Sequence, residues 1–278
     1  MEIFRDLFGR KRREPEVKRH DRDHERAWNS TAIDFARQGR FDDAVGCFDR
    51  ALTTDPRNPK MWNNKGVFLE LQNRDQEALA CFSRALEIDP DFVPAWISRG
   101  MMHRRRGRLQ EAQDCYDQAL AIDPSSVIAW YNRSGVFVAL GRVPEAIACY
   151  GKALELDPQF VPGWIDLGYA HFTRQNHTQA ISCYDRAISV DPENTRAWSL
   201  KGGAFHSIGA YERALSCFER VLKLDPDSAS GWSMKCSVLF QIGRYPEALA
   251  CADRALAIDP DCRLTAQVRD RLRELVDQ

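Results

Sequence analysis

Residues 93–126 read VPAWISRGMMHRRRGRLQEAQDCYDQALAIDPSS, and two features of this stretch return along the chain at one interval. The first is its tryptophan: Trp28, Trp62, Trp96, Trp130, Trp164, Trp198 and Trp232 are each 34 residues apart. The second is its Asp-Pro pair, with Pro56, Pro90, Pro124, Pro158, Pro192, Pro226 and Pro260 on the same beat. Two residue types sharing one period mark an internal repeat array. The period divides the chain into a leader 1–24, seven units (25–58, 59–92, 93–126, 127–160, 161–194, 195–228, 229–262) and a tail 263–278.

Within a unit, numbered 1 to 34, tryptophan occupies position 4. Positions 4, 7, 8 and 11 fall on one face of a helix turning 100° per residue. Position 8 is Gly66, Gly100, Gly168 and Gly202 in four units, which suits close helix approach. A second apolar stripe joins position 20, alanine in all seven units, to position 24, aromatic in six, and to a small residue at 27. Between the stripes stand Gly39, Gly107, Gly141, Gly209 and Gly243, suited to a left-handed residue that ends a helix, with Gln175 in that place in the fifth unit. Each unit therefore reads as a helical hairpin that sets large residues against small ones. The tail spaces Leu264, Val268, Leu272, Leu275 and Val276 on one helical face and reads as a cap over the seventh hairpin.

Trp at 4, Gly at 8, Ala at 20, an aromatic at 24, a small residue at 27 and Pro at 32 together resemble the tetratricopeptide repeat, recurring in phase over residues 25–262. The resemblance implies an all-α, right-handed superhelical solenoid of seven helix-turn-helix repeats, near one full turn, with the tail as a capping helix. It also implies a concave wall built from the first helices, holding a peptide or protein partner. Position 8 departs from the pattern at Ala32, Ser134 and Cys236, and position 24 at Ala252. Some members of the family clamp a chaperone's carboxylate tail with lysines and an arginine around paired asparagines. Asn64 and Asn132 match the middle asparagine, but the flanking bases do not follow, so that ligand is not expected.

Composition narrows the function classes. Lys plus Arg total 39 against 40 for Asp plus Glu, a net charge of −1 that exerts no general pull on nucleic acid. No apolar run reaches the ~18–20 residues of a membrane span, and no secretory signal is present, so the expectation is a cytoplasmic protein. Seven of the nine cysteines (Cys47, Cys81, Cys115, Cys149, Cys183, Cys217, Cys251) repeat at position 23. Identical positions in stacked hairpins lie roughly 8–10 Å or more apart, too far for disulfides or a shared zinc, so this row reads as packing residues. Cys236 and Cys262 fall outside the row. His103 and His171, at position 11, read as interface residues rather than metal ligands. With no phosphate loop, His-Glu-x-x-His, Gly-x-Ser-x-Gly or Cys-x-x-Cys motif, no enzyme, metal or cofactor is expected.

Recognition is expected on the first helices at positions 2, 5, 6, 9, 12 and 13, the arc opposite tryptophan. Ile97, Met101, Ile165, Tyr169, Phe172 and Tyr131 supply apolar and aromatic anchors there, and Asn63, Asn64 and Asn132 supply amides able to grip a peptide backbone. Arg104 lies in a basic run, 103–108, that suits either a helix C-terminus or an acidic ligand. The alternative is that these residues only pack one first helix against the next. Lys65, Arg99, Arg133, Lys201 and Lys235 recur at position 7, and their stems are expected to cover the packing seam. In the leader, Ile3, Phe4, Leu7 and Phe8 share a helical face ahead of Arg10–Arg13. That segment, residues 1–13, is the basis of an alternative reading as a weak membrane-surface adaptor.

Overall fold

The computed structural model describes residues 19–276, with side chains from Ala27 onward. Fifteen α-helices and no strands fill the described residues. They divide into two compact units, Met1–Arg142 and Val143–Gln278. The first holds α1 (Arg19–Arg37), α2 (Phe41–Thr54), α3 (Pro59–Leu71), α4 (Asp75–Ile88), α5 (Val93–Arg105), α6 (Leu109–Ile122) and α7 (Val127–Ala139). The second holds α8 (Val143–Leu156), α9 (Val161–Thr173), α10 (His177–Val190), α11 (Thr195–Ser207), α12 (Tyr211–Leu224), α13 (Ala229–Gln241), α14 (Tyr245–Ile258) and α15 (Arg263–Val276). Most of the leader, with its apolar face and basic run, lies outside the described residues; its end forms the start of α1, which begins at Arg19.

Within the units the first helices α1, α3, α5, α9, α11 and α13 pair with the helix that follows, and every second helix also packs on the next first helix. The turn that closes a hairpin is the same throughout. The residue at position 15 takes positive φ in all seven repeats: the five glycines, Asn73 (60°) and Gln175 (62°). In repeat 1 the Gly39 N–H donates to the Ala36 carbonyl and the Arg40 N–H to that of Phe35, and the same two bonds recur in the other six. This is the Schellman arrangement, which satisfies the last carbonyls of the first helix.

Inside a hairpin, the aromatic at position 24 lies over the backbone of position 8. A Cβ on Gly168 would stand 2.6 Å from a Tyr184 ring carbon, and one on Gly66 would stand 2.5 Å from Phe82. Those rings are sealed, with Phe48, Phe82, Tyr116 and Tyr184 all fully buried beside the position-20 alanines. Between hairpins, the indole N–H of each following tryptophan donates to the carbonyl of the preceding Asp-Pro proline. Trp62 reaches Pro56 (3.0 Å), Trp96 Pro90 (2.8 Å), Trp130 Pro124 (2.9 Å), Trp164 Pro158 (2.9 Å), Trp198 Pro192 (3.0 Å) and Trp232 Pro226 (2.9 Å). The shared period of tryptophan and proline therefore records a bond. In six of the seven repeats the aspartate before the proline completes the corner with an Asx turn: Asp89, for example, accepts from the Asp91 N–H at 3.1 Å.

Helix α15 occupies the place of a further first helix packed on α14. Its own Leu272 and Thr265 are buried, while Leu264 is 75% exposed. Ala266 stands where a tryptophan would, and Asp270 where the position-8 glycine would.

Three substitutions test these joints. Gln175→Gly removes a side chain from the left-handed region and is expected to raise unfolding free energy by about 0.5–1 kcal/mol in urea titration. Trp130→Phe keeps a ring over the seam but loses the bond to Pro124. It should lower stability by about 1 kcal/mol, whereas Pro124→Ala, which retains the carbonyl, should preserve that bond.

Candidate functional site

The arc expected to bind a partner divides by burial. At positions 5 and 6, Asn63, Asn64, Ile97, Asn132 and Ile165 are all buried. Consecutive first helices lie against each other (α3 on α5, α5 on α7, α9 on α11), and these positions sink into the seam between them. Ile97 packs with Ala129 of the next first helix, and Ile165 with Ala197. The Asn64 amide donates to Asn29 Oδ1 at 2.8 Å, on the preceding first helix. The Asn132 amide donates to its own helix at the Ile128 carbonyl, 2.9 Å away. The Asn64 and Asn132 amide N–H groups thus donate inside the fold, whereas the buried Oδ1 atoms of Asn63 and Asn64 meet no hydrogen-bond partner among the described residues. What stays uncovered lies mainly at positions 9, 12 and 13, joined by half-buried Tyr131 at position 5 and exposed Met234 at position 6.

In the first unit that surface carries Met101 and Tyr131, both half-buried, and Arg104, Leu71 and Val138, which are exposed. Leu71, 46% exposed at position 13, belongs to the surface although only its place in the arc could have marked it. The basic run around Arg104 separates by partner. Arg105 pairs with Asp75 at 2.7 Å and approaches Glu70 at 3.6 Å, and Arg106 pairs with Asp75 at 2.8 Å. The hydrogen bond from Arg106, then the Arg105 charge, hold the Asp75 carboxyl below its ordinary range. Burial pushes the Glu70 carboxyl up, with Arg105 drawing it back. Arg104 has no carboxylate among the described residues. Its guanidinium crosses to α7, with Nη1 3.2 Å from where a Gly135 Cβ would stand, and its charge bears on the buried Tyr116 phenol.

In the second unit, Tyr169 is the most open aromatic, at 51% exposure. Phe172, half-buried one turn later, meets His177 edge-on at 5.3 Å. Asp166 pairs with Arg196 of the next first helix at 2.8 Å. Gly203 on α11 has open space where a Cβ would be, and Met234 is 40% exposed on α13.

The position-7 cations form a ladder. Lys65, Arg99, Arg133 and Lys201 lie over the tryptophan of their own repeat, with Arg99 closest at 4.3 Å. Four cations also reach an acid at position 25 of the preceding repeat: Lys65 to Asp49 (2.5 Å), Arg133 to Asp117 (2.8 Å), Lys201 to Asp185 (2.6 Å) and Lys235 to Glu219 (3.0 Å). Where position 7 is Leu167, the preceding position 25 is Gly151, so both members are missing together. Only Arg99 faces a neutral residue, Ser83, and its Nε turns instead to Cys115 Sγ at 3.4 Å. The ladder is therefore structural.

His103 and His171 are half-buried with Nδ1 unpartnered, and burial lowers the pKa of both. The position-23 cysteines are buried thiols outside any disulfide, with burial raising the thiol pKa where a shift is resolved, as at Cys81 and Cys183 (about 11 each). Among the described residues no cluster of three His, Cys, Asp or Glu could hold a metal ion. No described helix is long and apolar enough to cross a membrane.

Helical hairpins joined by Schellman turns, stacked through a tryptophan seam, define a helical-repeat protein with its uncovered surface on the first helices. A tetratricopeptide-repeat family model matches residues 30–91, 98–159, 165–229 and 208–261, and a second of the same description matches 81–114. The chain belongs to the tetratricopeptide-repeat family. No curated protein sequence matches it. Among solved structures it is similar to a chain of the APC/C hetero-tetramer Cut9-Hcn1, with TM-score 0.66 and 18% identity over 87% of this chain and 48% of that one. It thus spans about half the length of that relative. It also resembles YrrB, a repeat protein with an unusual peptide-binding site (TM-score 0.58, 24% identity, 68% of this chain and 97% of that one). A third likeness is to PilF of Pseudomonas aeruginosa (0.65, 16%, 81% and 99%). At these identities the likeness concerns the fold.

The ladder yields its own test. Ser83→Asp supplies the missing acid beside Arg99 and should stabilise the chain by about 0.5 kcal/mol at low salt. The gain should vanish in an Arg99→Ala background and shrink in high salt, both read from urea midpoints.

Proposed function

We propose that the chain is a non-catalytic protein-interaction scaffold that holds a peptide or helical segment of a partner on the uncovered surface of its first helices. Membership of the tetratricopeptide-repeat family supports the class. One observation supports the place: Arg104 is exposed without a carboxylate beside Met101, Tyr131 and Val138, while its neighbours Arg105 and Arg106 are neutralised from within. An exposed cation without a carboxylate, set among apolar side chains, suits a ligand carrying an acidic residue flanked by apolar ones. The second unit offers a different surface, aromatic rather than charged, around Tyr169 and Phe172. Rigid aromatics contribute contact area at small entropic cost. Asn63, Asn64, Ile97, Asn132 and Ile165 have the indirect role of fixing the spacing of the helices that present these groups.

Affinity capture from the native cell, comparing wild type with Arg104→Glu and with Tyr169→Ala, tests the proposal. Each change is expected to reduce partner recovery about tenfold or more, the scale of losing one anchor of ~1.4 kcal/mol, with helicity intact. Unchanged recovery by the double variant, with unchanged circular dichroism, would refute it.

A further inference from the structure

Repeat 7 departs from the other six at two facing positions. Its first helix, α13, carries Cys236 at position 8, and its second, α14, carries Ala252 at position 24. In repeats 2, 3, 5 and 6 an aromatic ring lies over a position-8 glycine, with the nearest ring atoms 2.5, 2.7, 2.6 and 2.7 Å from where a Cβ would stand. Repeat 7 has no such ring, and a thiol side chain enters the same hairpin interface. The space is filled: Cys236 is 1% exposed and Ala252 fully buried.

Position 23 supplies the second half of the arrangement. In repeat 6 a Cβ on Gly202 would stand 3.1 Å from the Cβ of Cys217. Disulfides join residues whose Cβ atoms are about 3.5–4.5 Å apart, so a slight widening of that spacing meets the requirement. Hairpin 7 closes through the same two turn bonds as hairpin 6, with φ of 77° at Gly243 against 72° at Gly209. It therefore sets Cys236 opposite Cys251, the counterpart of Cys217. Both belong to one buried cluster with Val238, Leu239 and Leu272, and both are free thiols. Elsewhere position 8 is Ala32, Gly66, Gly100, Ser134, Gly168 or Gly202, so no other repeat sets cysteine at 8 against cysteine at 23.

We infer that Cys236 and Cys251 form a redox modification site, in which a peroxide closes a disulfide across hairpin 7. The Cys251 thiolate attacks one peroxide oxygen; the O–O bond breaks, leaving a sulfenic acid on Cys251 and a hydroxide that is protonated to water. The Cys236 thiolate then attacks that sulfur; the S–S bond forms, the S–O bond breaks, and the departing hydroxide becomes a second water. Two thiols and one hydrogen peroxide give one disulfide and two waters. Cys251 reacts first, being the more exposed at 6%. Burial raises its thiol pKa, but Lys235 works against that rise, whereas Cys236 is pushed up to about 11 by burial and by the Cys251 charge. Because the thiolate is the nucleophile, closure accelerates as pH rises toward that value. The site lies in the hairpin interior, apart from the docking surface, and does not depend on the scaffold reading.

The test treats the full-length native chain with hydrogen peroxide, blocks residual thiols by alkylation and maps peptides without reduction. The expected product is a Cys236–Cys251 linked peptide about 2 Da lighter than its free parts, reversed by a dithiol and formed several-fold faster at pH 8.5 than at pH 7. Amide exchange in α13 and α14 should slow at least tenfold in the oxidised chain. Cys236→Ala and Cys236→Ser, residues already tolerated at position 8 as Ala32 and Ser134, should abolish the linked peptide with helicity unchanged. Half-exposed Cys262 provides the internal standard. If peroxide oxidises Cys262 while Cys236 and Cys251 remain free thiols, or links either to another cysteine, the inference fails.

Discussion

The close approach of two helices within each hairpin is the constraint on which the rest of this protein depends. A large ring on the second helix needs a bare or nearly bare backbone on the first, and alanine at position 20 lets the helices meet beside it. With the hairpin thickness set, the tryptophan of the next repeat can reach the proline carbonyl of the last one. The same thickness brings a position-7 cation within reach of an acid 16 residues earlier. Stability in such an array is a sum of hairpin terms and neighbour terms, and the bonds that repeat along this chain fall into those two groups.

The architecture was legible because each of its joints leaves a periodic residue. Trp96 and Pro90 share a register because one donates to the other, and Gly100 and Tyr116 because one ring needs the other's missing side chain. The candidate surface was less legible. Helical periodicity places Asn64, Ile97 and Tyr169 on one arc, yet Asn64 and Ile97 are sealed while Tyr169 stands open. A helical wheel describes one helix, and burial here is decided by the first helix alongside, which a single-helix projection omits. Arg104 shows the same gap from the other side. Nothing in the run His103–Arg108 tells which guanidinium groups a carboxylate takes; that depends on Asp75 at the start of α4, 30 residues from Arg105.

Division of labour along the first helices follows from this geometry. The flank positions hold the helices at a set spacing with small, apolar or amide side chains, and the outermost positions vary freely. The first unit's surface is basic and apolar around Arg104, and the second unit's is aromatic around Tyr169. Variation confined to those positions can change what is recognised without disturbing the stack, which is why one repeat serves many ligands in a family of this kind.

The identical turns at Gly39, Asn73, Gly107, Gly141, Gln175, Gly209 and Gly243 carry a kinetic consequence. Each closes a hairpin through bonds between residues a few positions apart, so few native contacts in either unit require distant parts of the chain to meet. Low contact order of this kind favours rapid folding that can nucleate in any hairpin and spread to its neighbours. The two turns without glycine, at Asn73 and Gln175, are the places where that spread should hesitate.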